Sequence, residues 1–110
     1  MRQRLRLRRE ADFLRVRREG RSYAHPVLIL ALVPNHLPHN RYGIVTTRRL
    51  GGAVARNRVR RRVREAARYW HSHIAQGYDM VIIPRPPALT CPYPALVEAM
   101  AVGLRRANLL

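Results

Sequence analysis

Lysine is absent from this chain of 110 residues, and six acidic side chains stand against twenty-two arginines. Six scattered carboxylates are too few for a protein-borne two-metal nuclease centre. The one cysteine, Cys91, cannot form an internal disulfide, which fits a reducing, cytoplasmic setting. No histidine and orienting group accompany it to mark a nucleophile, so no catalytic residue is predicted. The longest apolar run, Val27 to Val33, lies between Pro26 and Pro34 and is far too short for a membrane span. The basic start is followed by no apolar segment and does not read as a secretory signal. His36, His39, His71 and His73 have no cysteine or acidic cluster for company, so no metal ligand set is predicted. The sequence contains no P-loop, dinucleotide fingerprint or GxxG loop. It also lacks an internal repeat.

What is present is concentrated charge on a foldable chain. The formal net charge is +16, while 47% of residues are hydrophobic, enough for the core of one domain spanning residues 1–110. Such charge on so small a body implies a polyanionic partner, because self-repulsion opposes the compact state. Nucleic acid leads, with an anionic membrane surface second. Every cation is a planar, permanently charged fork suited to phosphate.

Residues 1–9 alternate arginine with neutral residues and predict a mobile basic arm, which Leu5 and Leu7 could pin to the body. The spacing of Phe13 and Val16 predicts a helix from Glu10 to Glu19, with Gly20 as its stop. Tyr23–Ala24 and Val27–Val33 read as strand, with Pro26 at an edge or bend, followed by a Pro/Asn loop to Asn40. Arg41 to Thr47 reads as a second strand. A long helix is predicted from Ala53 to about Ala75, with Gly77 as its cap, then a strand over 78–83 buried on both faces. After a proline-rich connector, Leu96, Met100, Leu104 and Ala107 mark one face of a terminal helix. Together these predict an α+β fold, a two-layer α/β sandwich in the order α-β-β-(β)-α-β-α.

The long helix carries the strongest signal. At 100° per residue, Val59, Val63, Ala66, Ala67 and Trp70 fall in one stripe and form the core face. Asn57, Arg60, Arg61, Arg64 and Arg68 cluster on another face, and Arg58, Arg62 and Glu65 form a flank where Arg62 and Glu65 can pair. A solvated face ordinarily mixes both signs, because like charges at i and i+4 destabilise a helix. Arg56, Arg60, Arg64 and Arg68 form an uninterrupted i, i+4 ladder, which predicts a helix laid along a phosphate backbone. Arg48, Arg49 and the Gly51-Gly52 turn before it add cations and free N–H groups at the positive end of the helix dipole.

The run Gly52-Ala53-Val54-Ala55-Arg56-Asn57-Arg58-Val59-Arg60-Arg61-Arg62-Val63-Arg64-Glu65-Ala66 resembles the signature of the bacterial ribonuclease P protein subunit family. Asp12-Phe13 with Val16 and Gly20 is similar to that family's first helix. The segment from Tyr42 to Gly51 is similar to its strand and basic loop, and Tyr78-Asp79 through Arg85-Pro86 to its last strand and turn. The resemblance implies a sandwich with a left-handed βαβ crossover, an exception to the usual handedness. It implies binding to ribonuclease P RNA, which carries the catalysis with Mg2+ held mainly by that RNA and the substrate. The product would be the mature 5′ end of tRNA, after removal of the precursor tRNA leader. No membrane and no obligate protein partner is implied.

Carried over residue by residue, the RNA-binding set is Arg48, Arg49, Arg56, Asn57, Arg58, Arg60, Arg61, Arg64 and Arg68. In the implied leader cleft between the first helix and the sheet, Phe13 carries over as the stacking residue. The family often has an aromatic four residues later, where this chain has Arg17, and another near Ala31, where it is aliphatic. Arg17 can substitute by guanidinium stacking, and Tyr23 and Tyr42 are unaligned aromatic candidates. Two other readings stand beside this one: a ribosomal or general RNA-binding protein, and a self-sufficient nuclease.

Overall fold

The computed structural model describes residues 2–110. Among them, three α-helices accompany a four-stranded sheet: α1 (Glu10–Glu19), β1 (Arg21–Ala24), β2 (Leu28–Pro34), β3 (Arg41–Ile44), α2 (Ala53–His71), β4 (Tyr78–Pro84) and α3 (Tyr93–Arg106). The strand order is β1-β2-β4-β3; β1 and β4 each run antiparallel to β2, while β3 and β4 are parallel. The β3–α2–β4 unit therefore makes the crossover, and β4 sits centrally with neighbours on both edges.

Alternation along the two central strands sorts the core. Leu28, Leu30, Leu32, Met80 and Ile82 point to the face covered by α2 and α3, where Val59, Val63, Ala66, Leu96, Met100 and Leu104 are buried. Ala31 and Val81 point to the other face, where Val16 of α1 packs with Leu7 and with the partly buried Phe13, Val33, Val45 and Ile83. The expected α+β sandwich is present, and α1 adds a single-helix layer on its far side. The continuous apolar run of β4 follows from this double cover.

Several local expectations change. Tyr23–Ala24 and Val27–Val33 are separate strands, as the third strand allowed in the expected order requires. They form the hairpin β1–β2, with Pro26 in the turn where its missing N–H is not needed and His25 N–H bonding Leu28 O at 2.9 Å. The long helix ends at His71, about one turn before Ala75. The amide of Gln76 bonds the carbonyls of His71 and Ile74, and Asn40 bonds that of Ala75. Gly77, at φ 104°, is a turn residue entering β4 rather than a helix cap. Gly20 does stop α1, but by close approach at an ordinary φ of −80°: a Cβ there would lie 2.4 Å from Val16 O and 2.6 Å from Leu32 O.

The arm takes the pinned alternative, through Leu5 and Leu7. It lies along the outer edge of β3, with Arg6 bridged to Tyr42 and Leu7 N–H bonded to Tyr42 O at 2.8 Å, while Arg2, Arg4, Arg8 and Arg9 stay exposed. Leu5 and Leu7 are buried, one in each apolar cluster. Burying two leucines, at about 1.5–3 kcal/mol each, favours this docked position.

Among the described residues two polar side chains are fully buried, Asn40 and Asp79. Asp79 accepts both arms of the Arg41 fork at 2.8 and 2.7 Å, Arg15 at 2.7 Å and the Asn35 amide at 2.9 Å. Burial alone would raise its pKa. The bonds from Arg41 and Asn35 and the charges of Arg41 and Arg15 outweigh that and hold it below the usual value. A carboxyl depressed in the folded state stabilises the fold above its unfolded pKa of about 3.9, and that contribution is lost as pH falls through the lower folded value. Asp79→Asn is therefore expected to cost about 2–3 kcal/mol at neutral pH, somewhat under a fully buried pair because Arg15 and Arg41 keep partial solvation. Urea unfolding at pH 7 and at descending acid pH checks this: the gap between variant and wild type should close below pH ~4.

Candidate nucleic-acid interface

The first turn of α2 begins at Gly52, which is extended and caps with no side chain, after Gly51 at φ 113°, a value that L side chains rarely adopt. Arg48 and Arg49 are exposed in the one-turn helix just before it. Along α2, Asn57, Arg58, Arg61 and Arg68 are exposed, and Arg56, Arg60 and Arg64 are half-buried. Asn57 Oδ1 accepts a bond from Arg60 at 3.1 Å, which orients both side chains.

A groove of about 280 Å³ brings Phe13 into register with this helix. Its lining includes Phe13, Gly43, Ile44, Arg60 and Arg64, together with Arg6 and Arg8 from the arm. Gly43 makes the aromatic placement possible, since a Cβ there would lie 2.4 Å from the Phe13 ring. Arg64 feels the crowding: burial, then the charges of Arg6 and Arg60, push its pKa below the ordinary arginine value. An anion entering the groove relieves that repulsion.

Other predicted site residues lie apart. Arg17 is exposed one turn beyond Phe13 and does not line the groove. Arg49 faces a separate surface near Pro84 and Arg85. Arg68 faces the outer arm. Tyr42 is no stacking platform: it is 4% exposed, its hydroxyl lies 2.8 Å from His71 Nδ1, and burial raises its pKa to about 12. Tyr23 lies under Arg106, whose guanidinium carbon is 5.3 Å from the ring centroid. Sequence reasoning missed Arg6 and Arg8 as groove residues; their signal was the pair Leu5 and Leu7, whose burial places the intervening arginines.

Arg62 and Glu65 do not pair. Glu65 meets Arg68 at 3.6 Å, while Arg62 donates to the carbonyls of Ala88, at 2.6 Å, and Cys91, tying α2 to the proline-rich connector. Arg62→Ala should lower stability by about 1–2 kcal/mol, because it strips charged donors from two carbonyls. Arg61→Ala, on the exposed face, should stay within about 0.5 kcal/mol of the parent. Urea midpoints of the two variants separate these roles.

Comparison with known proteins agrees with this architecture. The sequence profile of the Ribonuclease P family matches residues 1–108. A "Ribonuclease P protein component" of Roseiflexus sp. (strain RS-1) is 45% identical, over 100% of this chain and 91% of its own length. That of Chloroflexus aurantiacus (strain J-10-fl) is 47% identical, over 100% of this chain and 82% of its own. The solved structure of the Staphylococcus aureus RNase P protein superposes with a TM-score of 0.84 at 30% identity, covering 96% of each chain. That of Thermotoga maritima gives 0.83 at 32% identity, covering 92% of this chain and 96% of its own. The chain belongs to the Ribonuclease P protein family.

Proposed function

We propose that this chain acts as the protein subunit of the ribonuclease P holoenzyme, an endoribonuclease, gripping the catalytic RNA and the 5′ leader of precursor tRNA. The observation that carries this reading is the groove in which the Phe13 ring and the Arg60 and Arg64 guanidinium groups face one space. An aromatic face stacks an unpaired base of any identity, while flanking guanidinium forks take its phosphates. That combination suits a single-stranded leader of variable sequence. The exposed set Arg58, Arg61 and Arg68, with Arg56, Asn57, Arg48 and Arg49 toward the helix start, offers a second, broader surface to the folded RNA.

Catalysis is assigned to the RNA. Among the described residues no three His, Cys, Asp or Glu side chains stand together as a metal site, so the donor set does not fit Mg2+. Magnesium would instead be held mainly by the RNA and substrate. The protein's part is to position the leader and to screen repulsion between two polyanions, which lowers the magnesium concentration needed. Among the described residues no helix is long and apolar enough to cross a membrane. The reading places the work in the cytoplasm, without an obligate protein partner.

Reconstitution tests the proposal. Protein alone should leave precursor tRNA uncut, and should restore cleavage by a bacterial ribonuclease P RNA at low magnesium. Arg60→Glu with Arg64→Glu should abolish that rescue with the circular dichroism spectrum unchanged. Affinity for the RNA should fall with log salt at a slope of about −4 to −7, for roughly six to eight phosphates neutralised. Cleavage by the protein alone would point to a self-sufficient nuclease, and RNA binding without rescue to a general RNA-binding protein.

A further inference from the structure

The docked arm builds a second concavity that the groove around Phe13 does not include. It measures about 550 Å³ and is lined by Arg2, Arg4, Leu5, Arg68 and His71. No carboxylate lines it; Glu65 reaches Arg68 only through an exposed pair at 3.6 Å, a contact easily exchanged for a stronger anion. Three guanidinium groups thus converge beside an imidazole over an apolar floor.

The imidazole's protonation follows from the hydrogen bonds behind it. Asn40 Oδ1 accepts the Tyr78 N–H at 2.8 Å, which fixes the amide orientation. Asn40 Nδ2 therefore donates to the Tyr42 hydroxyl oxygen, at 3.3 Å. The Tyr42 proton then finds a partner if it is given to His71 Nδ1, 2.8 Å away. A ring that accepts at Nδ1 is the neutral tautomer with its proton on Nε2, which is left as a free donor. Burial and the nearby His39 and Arg4 also favour the neutral ring.

We propose that Arg2, Arg4, Arg68 and the His71 Nε2–H form a phosphate-binding pocket for RNA, separate from the groove that holds Phe13. Identifying RNA as the source of that phosphate rests on the function proposed above; the pocket's affinity for phosphate does not. Guanidinium forks and a neutral N–H donor match the oxygens of a phosphate monoester or diester. The pocket adjoins a further basic groove that shares Arg4 and continues through Arg6, Arg8 and Arg9, so a strand held here has a path along the arm.

Nuclear magnetic resonance of the His71 ring in the full chain reads the pocket directly. Inorganic phosphate should shift the His71 ring signals saturably, beyond the effect of sodium chloride at equal ionic strength. Arg2→Gln with Arg4→Gln should weaken that response about a hundredfold, each lost charge-assisted contact being worth about tenfold. Circular dichroism and the Leu5 and Leu7 methyl signals verify that the arm stays docked. A short RNA bearing a 5′ phosphate and its 5′-hydroxyl counterpart distinguish the source: preference for the former assigns a terminal phosphate, and equal binding an internal phosphodiester. A His71 response no larger than that to chloride, or unchanged affinity in the double variant, overturns the pocket. Because the readout uses protein and phosphate alone, it stands or falls independently of precursor tRNA processing.

Discussion

Asp79 sits at the start of the central strand with no exposed surface, yet keeps its charge because four hydrogen bonds replace its water. Those bonds reach α1 through Arg15, β3 through Arg41, and the β2–β3 loop through Asn35. One carboxylate thus holds the first helix against the sheet at a fixed angle. Phe13 lies on that same helix, so the position of its ring relative to α2 depends on the pair. Arg41 gains equally, its pKa raised chiefly by the bond to Asp79. In a chain of such positive charge, turning two arginines inward onto a shared anion also removes repulsion that would oppose compaction.

The arginines divide by what they touch. Arg15, Arg41 and Arg62 hold parts of the fold together, as do Arg85 and Arg106 through bonds of 3.2 Å to the carbonyls of His25 and Ala24. Those of the arm and the long helix meet few acids and crowd one another instead. Docking the arm beside α2 merges two basic segments, far apart in sequence, into one positive surface. Such a surface stores unfavourable energy in the free protein, which a bound polyanion would release.

Much of this was legible from spacing alone. The 3.6-residue stripe of α2 and the unbroken apolar run of β4 identified the core on both sides of the sheet, and the arginine ladder identified a basic face of which Arg68 is exposed and Arg56, Arg60 and Arg64 are half-buried. Pairing choices were not legible. Arg62 faces the connector 26 residues away rather than Glu65 one turn along, which no local rule anticipates. Asp79 draws its partners from 38, 44 and 64 residues away, and nothing around it in sequence marks it as buried. The arm was legible only as an alternative: its arginines dominate its composition, while two leucines decide where it lies. Tyr42 had the residue type of a base-stacking platform and the burial of a core residue.

The edge of β3 on which the arm rests has a consequence for the order of events during synthesis. The arm precedes both strands in the chain, but its seat is complete only when β3 has paired, and β3 pairs with β4, whose last residue is Pro84. Through most of translation the arm therefore has no sheet to join. Until then nothing on the sheet fixes the spacing of its arginines. Closure of that strand edge waits on β4, so the arm takes its place only beside a strand made much later in the chain.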